Sequence, residues 1–274
     1  MAQIKQLEEY KALLRANKQR LGAVDTNCLL MTGEMARYIE DGRLCAESDE
    51  NGLYVFVEEG VRFNCFYFRR SGAPLPDLRR DKSVLIEEMD NRGMRSAYLD
   101  HFEPVLLGAG FSLSRRNLQV ERMNAPEPDG CAEVMDRLAA GGFFLERIAA
   151  GGVPADVAAL WAAHLDPLDI PQDHLTLHSG ESILNICQDG RVAATIWWKH
   201  SGRMSECRHI VTDPAYLRRG LAGALLRLWF DDAARSGASR LLTWINEANV
   251  PSLTLFARYG FAQNGRVSRQ YLLK

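Results

Sequence analysis

"YLRRGLAGALL", Tyr216 to Leu226, decides how this chain is read. Two arginines stand before a glycine, and the apolar residues that follow fall at helical spacing. Leu221, Ala224, Leu225, Leu228 and Trp229 form one stripe, which Gly237 ends. The stretch predicts a helix over Leu221 to Ser236, entered through a tight turn. A helix start leaves its first N–H groups without partners inside the helix, and the aligned peptide dipoles add positive character there. Gly220 has no β-carbon, Ala222 a small one, and Gly223 opens the next position, so an anion can approach the backbone. Arg218 and Arg219 add charge at the same spot. Solvated arginines beside an ordinary helix start explain the same letters, and the surroundings decide between the two.

Immediately upstream, "ESILNICQDGRVAATIWWKH" reads as two strands joined by Asp189-Gly190, a dipeptide that favours the left-handed angles of a tight hairpin. "SECRHIVTD" is a further strand, closed by Asp213-Pro214. Downstream come a strand in "SRLLTWI", a polar corner "NEAN", a helix from Pro251 to Tyr259 and a last strand near Val267 to Leu273. Before the hairpin lie a helix around Ala132 to Ala139, a strand "FFLERIAA", and a helix from Pro154 to His164 with Pro154 suited to its first turn.

The N-terminal part opens with a surface helix carrying Ile4, Leu7, Leu13 and Leu14. "LYVFVEEGVRFNCFYF" is a second hairpin, Leu53 to Phe68, and "SVLIEEM" another strand. "SAYLDHFEPVLLGAG" is helical, with Pro104 expected to interrupt or begin the helix. "NAPEPDG", Asn124 to Gly130, is the best linker, which divides the chain into 1–125 and 131–274. The order of elements implies an α+β, or mixed α/β, layered architecture. "FEPVLLGAGFSLSRRNLQVERM" and "LTLFARYGFAQNGRVSRQYLL" echo one another, each running from an apolar helix through Gly-Phe into a strand. Duplication and coincidence both explain the echo; under duplication the first half has lost the arginine-rich turn.

The chain has 274 residues, 47% of them hydrophobic and 25% charged, so it carries enough apolar material for a packed core. A formal charge of -2 gives no general attraction to nucleic acid or anionic lipid, so any basic site is local. The charged opening has no apolar signal core, so a cytoplasmic protein is expected. Six cysteines, scattered without a CxxC pair, read as free thiols, and no metal site is expected.

Strand, Asp-Pro turn, arginines with Gly220, helix, strand ending at an asparagine, and "LFARYGF" together resemble the GNAT superfamily of acyl-CoA-dependent N-acetyltransferases, over about residues 143 to 274. The family's phosphate motif falls on Leu217 to Ala222, with Leu217 in place of its usual Arg or Gln. The resemblance implies a central, mostly antiparallel twisted sheet flanked by helices, with an additional N-terminal α+β domain that is a degenerate copy of it if the echo is a duplication. It implies that backbone amides around Arg218, Arg219, Gly220, Leu221, Ala222 and Gly223 hold the pyrophosphate of acetyl-CoA. Ile210 and Val211 would pair with the pantetheine arm, which Asn249 would also reach.

Acetyl transfer of this kind is direct attack of a neutral amine on a thioester, so a proton must be removed and a developing oxyanion stabilised. The amide near Val211 would polarise the carbonyl. Glu206 is either the base, directly or through water, or an exposed strand-end carboxylate. Strand alternation turns His209 to the opposite face, as a packed histidine. Where relatives carry a tyrosine that protonates the leaving thiolate, this chain has Phe256, on the cofactor side. Tyr259, three residues on, is either that acid or a packed ring. The partners implied are acetyl-CoA and an unidentified amine, with no nucleic acid or membrane; a homodimer stays open. A silent acyl-CoA sensor and a transferase using charged tRNA are the competing readings.

Overall fold

Two tight turns anchor the strands. In the computed structural model, which describes every residue except 31, 125–129 and 167–175, Asp189 and Gly190 take left-handed φ values of 51° and 72°. The strands beside them pair from Gln188 with Arg191 to Glu181 with Lys199. Gly60, at φ 57°, turns the other hairpin, whose last rung is Glu59 with Arg62.

In chain order the elements are β1 (Ala2–Gln3), α1 (Leu7–Leu21), β2 (Asp25–Thr26), α2 (Thr32–Glu40), β3 (Leu44–Ser48), β4 (Gly52–Glu59), β5 (Arg62–Arg69), β6 (Ser83–Asn91), α3 (Ser96–Gly108) and β7 (Ser112–Met123). They continue with α4 (Gly130–Ala140), β8 (Phe144–Ile148), β9 (Gly151–Gly152), α5 (Ala155–His164), β10 (Thr176–Leu177), β11 (Glu181–Gln188), β12 (Arg191–Ser201), β13 (Met204–Thr212), α6 (Leu221–Arg235), β14 (Arg240–Asn246), α7 (Val250–Arg258) and β15 (Ala262–Leu273). The architecture is mixed α/β, with mostly antiparallel strands flanked by helices.

The chain forms two compact units, Met1–Asn117 with Gly265–Lys274, and Leu118–Asn264. In the first, the strand order is β1-β3-β4-β5-β6-β15, with β2 as a short rung on β5. Pairing is antiparallel except between β5 and β6. Alternation along β4 sends Tyr54 and Phe56 to the face packed with Phe102 and Leu106 of α3, and Leu53, Val55 and Val57 to the face packed with Tyr10 and Met35 of α1 and α2.

In the second unit the order is β14-β13-β12-β11-β8, with β7 beside β14. One face of this sheet packs Ile196 and Trp198 against Val134 of α4 and Leu225 and Trp229 of α6. The other packs Ile183 and Val211 against Val157 and Trp161 of α5. Asp232 pins α6 to the sheet by accepting from Arg147 at 2.5 Å, with His200 Nε2 at 3.0 Å. The cysteines are free thiols.

Four readings change. α3 continues through Pro104, because only the one bond that its missing N–H would have made is lost while Phe102 and Leu106 hold the helix in the core. Pro154 is the N-cap of α5, at ψ 147°, rather than a residue of its first turn. α2 forms where no helix was read, and β15 begins earlier, at Ala262.

The units also do not follow the Asn124–Gly130 stretch, whose residues 125–129 lie outside the described ones. Boundaries at 125 and 131 would keep the C-terminal strand with the C-terminal half, whereas the ladder from Arg266–Asn91 to Leu273–Val84 joins β15 to β6. Sheet pairing, not chain punctuation, assigns these residues. The echo is structural: Phe111 and Phe261 each donate to the carbonyl five residues back, at 3.0 and 3.1 Å, and each opens onto a strand of 12 residues.

Candidate functional site

Past β13 the Asp213 carboxylate accepts from Ala215 N–H at 2.8 Å, and Pro214–Tyr216 make one short 3₁₀ turn. The chain then reverses through two left-handed residues, Arg218 at φ 63° and Gly220 at φ 79°. A left-handed arginine is uncommon and is strained by about 1 kcal/mol. No side chain caps α6, and its first backbone bond runs from Ala224 N–H to Gly220 O at 3.0 Å. The amides of Leu221, Ala222 and Gly223 are therefore left pointing out of the helix start, and nothing stands within 4 Å of where a β-carbon on Gly220 would be.

These amides open into a cavity of about 670 Å³. Arg122, Arg137, Arg218, Arg227 and Arg258 line it, with no carboxylate in its wall among the described residues. Arg122 donates to Tyr259 O at 2.7 Å and lies 4.4 Å over the Phe230 ring. The other four make no ion pair among the described residues. A helix N-terminus beside four guanidinium groups that make no ion pair among the described residues is a strong local anion site in a chain of net charge -2.

Leu221, Ala222 and Gly223 lie in the cavity wall together with Arg218 and Gly220. Arg219 does not; its guanidinium sits 5.1 Å over the Tyr216 ring. Sequence reading missed the other four arginines. Arg227 had a signal, since Gly220, Gly223 and Arg227 repeat at helical spacing, and Arg258 lay in a quoted motif. Arg122 and Arg137 had none, because they converge from separate elements.

β13 and β14 pair in parallel only from Met204–Arg240 to Cys207–Thr243. Ile210 and Val211 lie past the last rung, on an edge that no strand pairs among the described residues. Their side chains face opposite ways, Ile210 toward the α6 core and Val211 toward the α5 core. Where β12 pairs β13 the register shifts between Trp197–His209 and Trp198–Cys207, leaving Arg208 as a bulge. The extra residue reverses the parity expected from alternation, so His209 shares a face with Glu206. There its ring packs 5.4 Å from Trp197 and 5.9 Å from Trp161, while those indoles stack 5.4 Å apart.

Glu206 pairs across the sheet with Lys199 and lies 3.6 Å from Arg208 Nη2, on the stretch still bonded to β14. Asn249 is the N-cap of α7, its side-chain oxygen taken by Ser252 N–H at 3.1 Å. Phe256 is 2% exposed and packs edge-to-face on Phe261 at 5.0 Å, so it faces the core and not the cavity, which corrects the cofactor-side placement. The Tyr259 ring lines the cavity with its hydroxyl over Gly223, at the amide end of the site.

Residues 154–261 match the model of the acetyltransferase (GNAT) family. Comparison with curated protein sequences returns no match. Among solved structures the chain is similar to a GCN5-related N-acetyltransferase from Kribbella flavida, at 15% identity over 89% of this chain and 96% of that one, with a TM-score of 0.50. It is similar to a Drosophila protein, at 15% identity over 97% and 96% with a TM-score of 0.55. A tandem GNAT protein from the clavulanic acid biosynthesis pathway, solved without AcCoA, aligns at 11% identity over 97% and 94%, also with a TM-score of 0.55. At these identities the likeness concerns the fold.

Proposed function

Because residues 154–261 match the model of the acetyltransferase (GNAT) family, we propose that the C-terminal unit moves an acetyl group from acetyl-CoA to a primary amine by direct attack in a ternary complex. The observation that carries this reading is the uncapped start of α6, opening into a cavity whose charged residues, among the described ones, are all arginines. Bound acetyl-CoA supplies an activated thioester. The amides of Leu221, Ala222 and Gly223 hold its diphosphate, and Arg218, Arg227 and Arg258 balance its charge. Tyr259 donates its hydroxyl at this phosphate end rather than serving as the acid for the leaving thiolate.

The free edge of β13 at Ile210 and Val211 pairs with the amides of the carrier arm, and a backbone N–H near Val211 polarises the acetyl carbonyl. As the amine nitrogen bonds the carbonyl carbon, the carbon–sulfur bond breaks and the sulfur leaves as a thiolate. An ordinary thiol pKa of about 8.5 makes that departure feasible without a dedicated acid. The amine's proton passes to the α5 face of β13. His209 stands two residues from Val211, about 7 Å along the strand. Glu206 stands five residues away and acts only through water.

A silent acyl-CoA sensor is the second reading, favoured by the burial of Phe256 where relatives carry an acid. Calorimetry with CoA, followed by thiol release from acetyl-CoA across an amine panel, separates the two. Micromolar CoA affinity with turnover on at least one amine supports the transferase. Affinity without turnover supports the sensor, and no affinity removes both.

A further inference from the structure

The N-terminal unit repeats the parallel, parting strand pair on which the carrier site of the other unit is built. β5 and β6 pair in parallel from Arg62–Ser83 to Asn64–Leu85 and no further. The edge of β5 beyond that rung corresponds to the edge of β13 at Ile210 and Val211, and it is covered by residues 25–27. Asp25 and Thr26 of β2 pair with Arg69 and Phe68 by backbone. Between those rungs and the parallel ladder, the side chain of Asn27 spans the gap. Its Nδ2 donates to Cys65 O at 3.0 Å on β5 and to Glu87 O at 3.2 Å on β6. Its Oδ1 accepts from Tyr67 N–H at 2.9 Å.

A carboxamide has two donor hydrogens and a carbonyl acceptor, and here both kinds of group are engaged. This is the donor and acceptor set with which the amides of a pantetheine arm would pair between parting strands. Asn27 is 6% exposed, so the gap is closed as well as bridged. The crossing from β5 to β6 agrees with this. Residues 70–82 contain no helix, and Pro74 and Pro76 lack N–H groups, so this crossing offers no helix start to a diphosphate where the other unit has α6.

We infer that the N-terminal unit is closed to acyl-CoA by its own chain, with Asn27 occupying the place of the carrier arm, so that each chain holds one acyl carrier. The inference rests on the acyl-CoA reading of the C-terminal unit for what the gap would otherwise take. The occupancy of the gap rests on the hydrogen bonds alone.

Isothermal titration of the full chain with CoA gives one equivalent per chain, and the double variant Arg218→Glu, Arg227→Glu gives no heat. Amide exchange at Tyr67 is slow in the wild type and at least tenfold faster, relative to the amides of β4, in Asn27→Ala. Two equivalents of CoA, heat surviving in the double variant, or open-chain exchange at Tyr67 in the wild type overturns the inference. If the wild type binds no CoA, the acyl-CoA reading falls, and Tyr67 exchange still decides whether Asn27 fills the gap. If Asn27→Ala does not fold, stoichiometry and wild-type exchange decide.

Discussion

The hydroxyl of Tyr259 rests over the α-carbon of Gly223 in the first turn of α6. A β-carbon built there would lie inside contact distance of that hydroxyl and 3.2 Å from Cζ. The requirement for glycine at this position is spatial, since it lies within the helix and has no left-handed angle to satisfy. The ring cannot retreat freely, because it packs edge-on against Phe230 at 6.0 Å and Arg122 holds the Tyr259 carbonyl. Gly223→Ala is predicted to destabilise the protein by about 1–3 kcal/mol, the usual cost of overpacking, and to weaken CoA binding. Adding Tyr259→Phe should recover most of that loss by removing the hydroxyl. Thermal denaturation of the single and double variants checks this, and a Gly223→Ala protein as stable as the wild type would contradict it.

The cavity separates arginines that the motif displays from those that face the anion. Arg227→Ala and Arg258→Ala are predicted to weaken CoA binding about tenfold each, near 1.4 kcal/mol, the scale of one charge-assisted hydrogen bond. Arg219→Ala should change it less than about twofold, because that guanidinium sits on Tyr216 outside the wall, and its loss gives up only an exposed cation–π contact of about 0.5–1 kcal/mol. Titrations at two salt concentrations check the ranking. Equal losses for Arg219 and Arg227 would mean that the turn rearranges on binding.

What the sequence made legible was local. Asp189-Gly190 announces its hairpin because few dipeptides accept two left-handed residues, and the stripe from Leu221 to Trp229 announces α6 because its period is helical. Illegible were the features that depend on remote partners. No local signal assigns Gly265–Lys274 to the N-terminal unit, since its mate is β6. Arg208 looks like any strand residue, yet as a bulge it moves His209 to the face of Glu206. Asn27 gives no hint in its own neighbourhood that it bonds two strands far along the chain.

That bulge yields a prediction about the base. His209→Gln is predicted to lower kcat by about 10²–10³-fold, the contribution of a positioned base, with little change in CoA affinity. It should also remove the limb of the pH–rate profile that a titrating general base produces. Glu206→Gln should cost about tenfold or less, as expected for a group acting through water, with the limb retained. A reversed order would return the role to Glu206.

The N-terminal core holds a titrating carboxyl. Glu88 on β6 is 0% exposed, accepts from the Tyr67 hydroxyl at 2.5 Å and lies 3.3 Å from Arg95 Nη2. Tyr98 bonds the same tyrosine at 2.9 Å. Burial raises the carboxyl, the Tyr67 hydrogen bond and the charges of Arg95 and Arg69 lower it, Asp25 raises it again, and the balance stands at about 7 against an ordinary 4.5. Between those values the folded chain binds more protons than the unfolded one. Its contribution to stability is therefore complete below the unfolded value and is lost as pH rises through the folded one, a difference on the order of 3 kcal/mol. Asp232, lowered to about 2 by His200 and Arg147 against the opposing effect of burial, acts in the other direction, its contribution lost only as pH falls below the ordinary 3.8. Urea midpoints should therefore fall from pH 5 to pH 8 in the wild type. Glu88→Gln, which stays neutral and still accepts from Tyr67, should be nearly flat across that range, and a flat wild-type profile would show that Glu88 is ionised throughout.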